Sequence, residues 1–141
     1  MKIKIVLLLT IFLIAGCSST VKQTVKPFKQ ANVSNICLID NPKVKQSFRD
    51  VYKSALESKG FTVRIIDKDS NSDACEVTSR YTARWGWDLA LYLSYAQLKI
   101  FNKGKESGEA VYKVVFVGAT GKFINTQEKI YELVSQLFPT N

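Results

Sequence analysis

The chain has no histidine. Imidazole titrates between pH 5 and 8 and is the commonest metal ligand, so no Ser-His-Asp or Cys-His site can be assembled from this chain, and no histidine-based metal centre. No metal and no cofactor are expected. Acidic side chains are in the minority, 12 Asp+Glu against 20 Lys+Arg, for a net charge of +8. A carboxylate pair of the glycosidase kind remains conceivable, with Asp88 and Glu109 as candidates. Twelve acidic residues make some such pair inevitable, and no catalytic residue is assigned; the expectation is a protein that is not an enzyme. Long hydrophobic runs are missing as well. The longest, Ile5–Ile14, would make a helix of ~15 Å, about half of a ~30 Å hydrocarbon core. Internal repeats are absent. Cysteine is scarce, with three in all.

What is present at the N-terminus is ordered. Lys2 and Lys4 precede the apolar run, and Ala15-Gly16 place two small residues before Cys17. Charge, apolar run and small residues in that order form a secretory signal peptide, residues 1–16. Leu13-Ile14-Ala15-Gly16-Cys17 resembles the lipobox of bacterial lipoproteins, in which the cysteine is acylated and becomes the mature N-terminus. Acyl chains such as palmitate would then anchor the chain, each buried methylene contributing about 0.8 kcal/mol. Ser18 in place of aspartate resembles the pattern of lipoproteins passed to the outer membrane. The expected location is the periplasmic face of that membrane, with the inner membrane as the alternative. Export also argues against nucleic acid as a partner.

Removal of Lys2 and Lys4 leaves a mature charge of +6, from 18 Lys+Arg and 12 Asp+Glu. A basic domain suits an anionic surface, but the basic residues look scattered along the sequence. Two cysteines remain, Cys37 and Cys75. In an oxidising compartment an even pair invites a disulfide; two buried free thiols are the alternative.

Residues 17–34 read as the lipidated cysteine and a polar tether, and 35–139 as one periplasmic domain. Asn35–Asp40 is a buried strand. Asn41-Pro42 should start a helix as N-cap and first residue. Val44, Phe48, Val51, Tyr52, Ala55 and Leu56 would share one of its faces, with Gly60 as its stop. Phe61–Ile66 is a strand, completing a βαβ unit, and 67–74 a polar loop. From Cys75 the period is two: Val77, Ser79, Tyr81, Ala83, Trp85 and Trp87 alternate with Glu76, Thr78, Arg80, Thr82 and Arg84. Strands follow over about Leu91–Phe101 and Ser107–Val117, joined by a turn at Lys103-Gly104. Asn125 and Glu128 fit a capping box before a stripe of Ile130, Leu133, Val134 and Leu137. The order is β-α-β-β-β-(β)-α. The fold class is α+β, a two-layer sandwich with a mixed, mainly antiparallel sheet and two helices on one face. The opposite face would be polar and exposed, or a binding surface.

Trp85-Gly86-Trp87-Asp88-Leu89-Ala90-Leu91-Tyr92-Leu93 is the most distinctive segment. Trp85, Trp87, Asp88 and Tyr92 are the candidate partner-binding residues, as an aromatic platform. Alternation with Val77 and Tyr81 instead favours Trp85 and Trp87 as core. This segment, with Ala110-Val111-Tyr112 and the ending Lys122-Phe123-Ile124, Glu128-Lys129-Ile130, Glu132-Leu133-Val134 and Leu137-Phe138-Pro139, resembles a family of small uncharacterised Gram-negative lipoproteins over residues 35–139, Cys37 and Cys75 included. The resemblance implies no activity. The element order is also similar to envelope lipoprotein domains related to penicillin-binding-protein activators and to the N-terminal domain of TolB, a likeness of fold only. The expected function is that of a membrane-anchored, non-enzymatic accessory protein whose expected partners are the membrane and another envelope component, a protein. A glycan- or ligand-binding module, or a wall-active enzyme, is the alternative.

Overall fold

The computed structural model describes residues 21–29, 32–70, 75–116, 118 and 120–140. The expected signal peptide and Cys17 lie outside the described residues. Six strands form one mixed sheet: β1 Val21–Lys26, β2 Asn35–Ile39, β3 Thr62–Ile66, β4 Val77–Asp88, β5 Ala90–Asn102 and β6 Lys105–Val114. Their order across the sheet is β1-β6-β5-β4-β2-β3. Helices α1, Gln46–Ser58, and α2, Thr126–Leu137, pack against each other on one face. This is the expected α+β sandwich.

Strand β2 runs parallel to β3 and β4, and the other pairs are antiparallel. β2 sits between two neighbours, and its last four residues are buried, which is why it reads as an unbroken apolar run. Helix α1 buries Phe48, Tyr52, Ala55 and Leu56, and α2 buries Ile130, Leu133, Val134 and Leu137. These stripes close on Leu38, Leu93, Leu98, Ile100 and Tyr112 of the sheet. Full burial of one such aliphatic side chain contributes about 1.5–3 kcal/mol. One polar pair lies in the core: the Tyr52 hydroxyl and Ser79 Oγ are 2.7 Å apart, and each satisfies the other. Cys37 and Cys75 form a disulfide that ties β2 to the chain just before β4, with Cα atoms 6.1 Å apart.

Two local readings change. The stretch taken as a tether contains β1, paired along its whole length with β6 from Val21↔Val114 to Lys26↔Glu109. Its alternation is faint because the helix-side positions are Val21, Gln23 and Val25. Gln23 is held there by polar contacts with α2: its amide donates to Glu132 and Gln136, and Lys129 donates to its carbonyl oxygen. Helix α1 begins at Gln46, not at Asn41-Pro42. Asn41 is tied to β4 instead, its backbone N–H donating to the Tyr81 hydroxyl and its side-chain amide to the Tyr81 carbonyl. Residues 41–44 therefore form a turn, with Asn41 Oδ1 accepting from the N–H of Lys43. At α2 the expected cap is present, Asn125 Oδ1 accepting from the N–H of Glu128 at 3.1 Å. The Lys103-Gly104 turn is also as expected, both residues at positive φ.

Candidate binding surface on the open sheet face

Among the described residues, the face of the sheet away from the helices is open over β4, β5, β6 and β1 except at the hairpin end, where residues 120–123 lie against Tyr92. The register collects on it what the sequence scatters. Arg84, Tyr95, Lys113 and Lys22 are cross-strand neighbours in one row. Four strands at ~4.8 Å spacing make that row ~15 Å long. Arg80, Lys99, Glu109 and Lys26 form a second row, and Thr82, Gln97, Val111 and Thr24 lie between the two.

The carboxylates of this face are each held by a lysine. Lys99 lies 2.8 Å from Glu106 and 3.5 Å from Glu109, and Asp88 is paired with Lys122. The hydrogen bond that the Lys99 ammonium donates to Glu106 holds it above its ordinary pKa, with burial acting against it. Among the described residues, none of Lys22, Lys26, Arg80, Arg84 and Lys113 has an ion-pair partner. The two arginines are placed over rings, Arg80 5.5 Å from Phe101 and Arg84 4.4 Å from Tyr95. A guanidinium stacked this way keeps its N–H edges free for an acceptor and loses less freedom on binding. The reading of the basic residues as scattered does not survive the register: period-two strands turn distant positions into neighbours.

The candidate aromatic segment lies at one end of this face. The β4–β5 hairpin turns on a single residue, Asp88 pairing with Ala90 around Leu89. Trp85 is half-buried, edge-on to Phe48 at 6.0 Å with the Lys45 ammonium 4.5 Å over its ring. Trp87 is 71% exposed, which corrects its assignment to the core. Alternation puts Trp87 on the helix side of the sheet, but the hairpin runs past the start of α1, so none of the described residues covers it there. Tyr92 lies on the open face and is buried over Gly86; a Cβ on Gly86 would come within 2.5 Å of the Tyr92 ring. Phe123 meets Tyr92 edge-on at 5.9 Å. Lys122 is 1% exposed and lies 5.2 Å from both rings while bonding Asp88. The four candidate residues thus share one region in three different roles: Trp85 as packing, Asp88 and Tyr92 as the clamp on the 120–123 segment, and Trp87 as free surface.

Asp88 and Glu109 do not meet. Asp88 pairs with Ala90 and Glu109 with Lys99, nine residues further along β5. That separation is on the order of 25–30 Å, well beyond the ~5–9.5 Å of paired glycosidase carboxylates. A different acidic group, Asp40, Asp67 and Asp69, rims a shallow depression of about 580 Å³ after β2 and β3. Asp40 is engaged by Arg49 at 3.3 Å and by the Tyr81 hydroxyl at 3.0 Å. Burial pushes Tyr81 up to about 12, with the Asn41 N–H acting against it, so this hydroxyl stays protonated at neutral pH. Among the described residues no three Asp, Glu or Cys side chains converge as a metal site. A further depression of about 550 Å³ lies beside the disulfide, where Arg64 donates to Cys75 Sγ at 3.3 Å.

No protein-family model matches this chain, and none of the curated proteins matches it. Solved structures do. A PelC dodecamer from Paraburkholderia phytofirmans is similar over 85% of this chain and 99% of that one, at 14% identity and a TM-score of 0.59. A leucine-to-methionine variant of that PelC, also a dodecamer, is similar over 84% and 95%, at 13% identity and a TM-score of 0.54. At such identity the likeness is one of fold alone.

Proposed function

We propose that this chain is a lipoprotein anchored through Cys17 at the periplasmic face of the outer membrane, and that it works by binding an acidic component of the cell envelope, a protein, on its open sheet face. The observation that carries the binding is a run of five cations without an ion-pair partner among the described residues, on an open surface whose carboxylates are all held by lysines. Complementary charge of this kind guides encounter and orientation. The anchor rests on the lipobox-like Leu13–Cys17 and the signal features before it. A second reading, association between copies of this chain, is favoured by the dodecameric state of the PelC structures that share its fold.

Labelling cells with an alkyne fatty acid tests the anchor: the wild-type chain is labelled and Cys17→Ser is not, and equal labelling would refute acylation at Cys17. Crosslinking in intact cells tests the face. Arg80→Glu with Arg84→Glu and Lys113→Glu should lose the crosslinked partner while the urea midpoint stays close to wild type. Unchanged recovery of the partner would move the binding site elsewhere. A ladder of crosslinked multiples of this chain would favour the second reading.

A further inference from the structure

The end of the sheet that carries Leu89 also carries an apolar surface that no described element covers. Leu89 is 89% exposed, Trp87 71%, Phe116 58% and Leu91 57%. Leu89 sits at φ 59°, a conformation that bulky side chains avoid. A strained, fully displayed leucine at a turn apex is costly for folding and is a sign of function.

Three further observations say what this end meets. First, β1 begins at Val21, which pairs with Val114 at the same end of the sheet. Only residues 18–20 separate it from Cys17, so an anchor at Cys17 is at most ~14 Å of extended chain from Val21. Second, Phe116 follows Val114 by two residues, so the exposed ring belongs to the same end. Third, the row of Arg84, Lys113 and Lys22 lies directly behind the apolar tip. Arg84 is three residues from Trp87, ~10 Å along the strand. An apolar apex, a tryptophan, and then a band of cations is the depth order of a bilayer interface: hydrocarbon, headgroup boundary, phosphate.

We infer that the β4–β5 tip is a second membrane contact, in which Leu89, Leu91, Trp87 and Phe116 enter the headgroup boundary of the phospholipid leaflet that holds the Cys17 acyl chains, while Arg84, Lys113 and Lys22 meet lipid phosphates. This rests on the anchor reading above. Together, lipid and tip fix the orientation: the strands stand off the membrane, the row of Arg84, Lys113 and Lys22 is shared between lipid phosphates and the partner, and the row of Arg80 and Lys26 looks sideways to the partner alone.

The test uses the mature chain extracted from membranes and reconstituted in vesicles of phosphatidylethanolamine with a minority of phosphatidylglycerol, made with ordinary or brominated acyl chains. Trp85→Phe leaves Trp87 as the sole tryptophan; should that variant fail to fold, the difference between wild type and Trp87→Phe gives the same signal. Brominated chains should quench most of the Trp87 emission, and Leu89→Asp should restore it while the protein remains anchored. Emission that bromine leaves intact and aqueous iodide quenches would overturn the inference. Emission shielded from both would also overturn it, by placing protein on the tip. Fatty-acid labelling reads the anchor independently. If Cys17 carries no lipid, the tip is read by co-sedimentation of the unlipidated mature chain with the same vesicles: binding that Leu89→Asp removes upholds the inference, and no binding overturns it.

Discussion

Gly86→Ala should destabilise the domain, and Tyr92→Ala should erase the effect. A Cβ at position 86 meets Tyr92 Cζ and the hydroxyl oxygen at 2.5 Å and Cε1 at 2.9 Å, so the ring must shift by about 1 Å to reach ordinary carbon contact at ~3.5–4 Å. A tyrosine ring alone could swing aside. This one is boxed in by Phe123 edge-on and by buried Lys122, which is committed to Asp88. The ring either strains in place or leaves its site. Strain from an added methyl in a packed region costs about 1–3 kcal/mol. Departure forfeits the aromatic pair, about 0.5–1.5 kcal/mol beyond its buried area. Against either stands the gain from replacing glycine in a strand, roughly 0.5–1 kcal/mol. The net expectation is a loss of about 1–2 kcal/mol. With Tyr92→Ala already present the new methyl meets no ring, so adding Gly86→Ala becomes neutral or stabilising. The double-mutant cycle should therefore show a coupling of about 2 kcal/mol. Urea unfolding of the four proteins, followed by tryptophan fluorescence with slopes compared, measures it. Costs that simply add, or a Gly86→Ala midpoint equal to wild type, would refute the packing of Tyr92 against Gly86.

Two further expectations concern stability. Replacing both Cys37 and Cys75 by serine opens a loop spanning 38 positions of sequence and should cost about 4 kcal/mol by loop-closure entropy; a midpoint unchanged by substitution or by reductant would refute the bridge. Burial raises the Tyr52 and Tyr81 hydroxyls above their ordinary value of 10.0, Tyr81 to about 12. The unfolded chain then releases these protons before the folded one, so stability should hold up to about pH 10 and fall as pH rises further. An unfolding midpoint that stays level between pH 10 and 12 would contradict the buried, neutral placement of both rings.

Much of the fold was legible because its signals are local. The stripe of Phe48, Tyr52, Ala55 and Leu56 and that of Ile130, Leu133, Val134 and Leu137 repeat at helical spacing and are buried as read. Lys103-Gly104 specifies its own turn, and Asn125 its own cap. β1 was not legible. Its stability comes from ladder bonds to β6 and from Gln23 reaching α2 more than a hundred positions away, and neither leaves a mark in Val21–Lys26. Asn41-Pro42 looked like a helix start because the competing bonds to Tyr81 are forty residues distant.

The candidate surface divides in the same way. By itself, the sequence determined the absence of imidazole, the surplus of positive charge, the cysteine pair and the period-two strand that carries Trp85 and Trp87, because composition and periodicity are properties of the chain alone. Only the tertiary structure decided that Arg80, Arg84, Lys113, Lys22 and Lys26 share one open face, since facing depends on strand register, a long-range pairing. It alone decided that Trp87 is exposed while Trp85 packs on Phe48. Both have the same parity, and the difference is the point at which α1 begins.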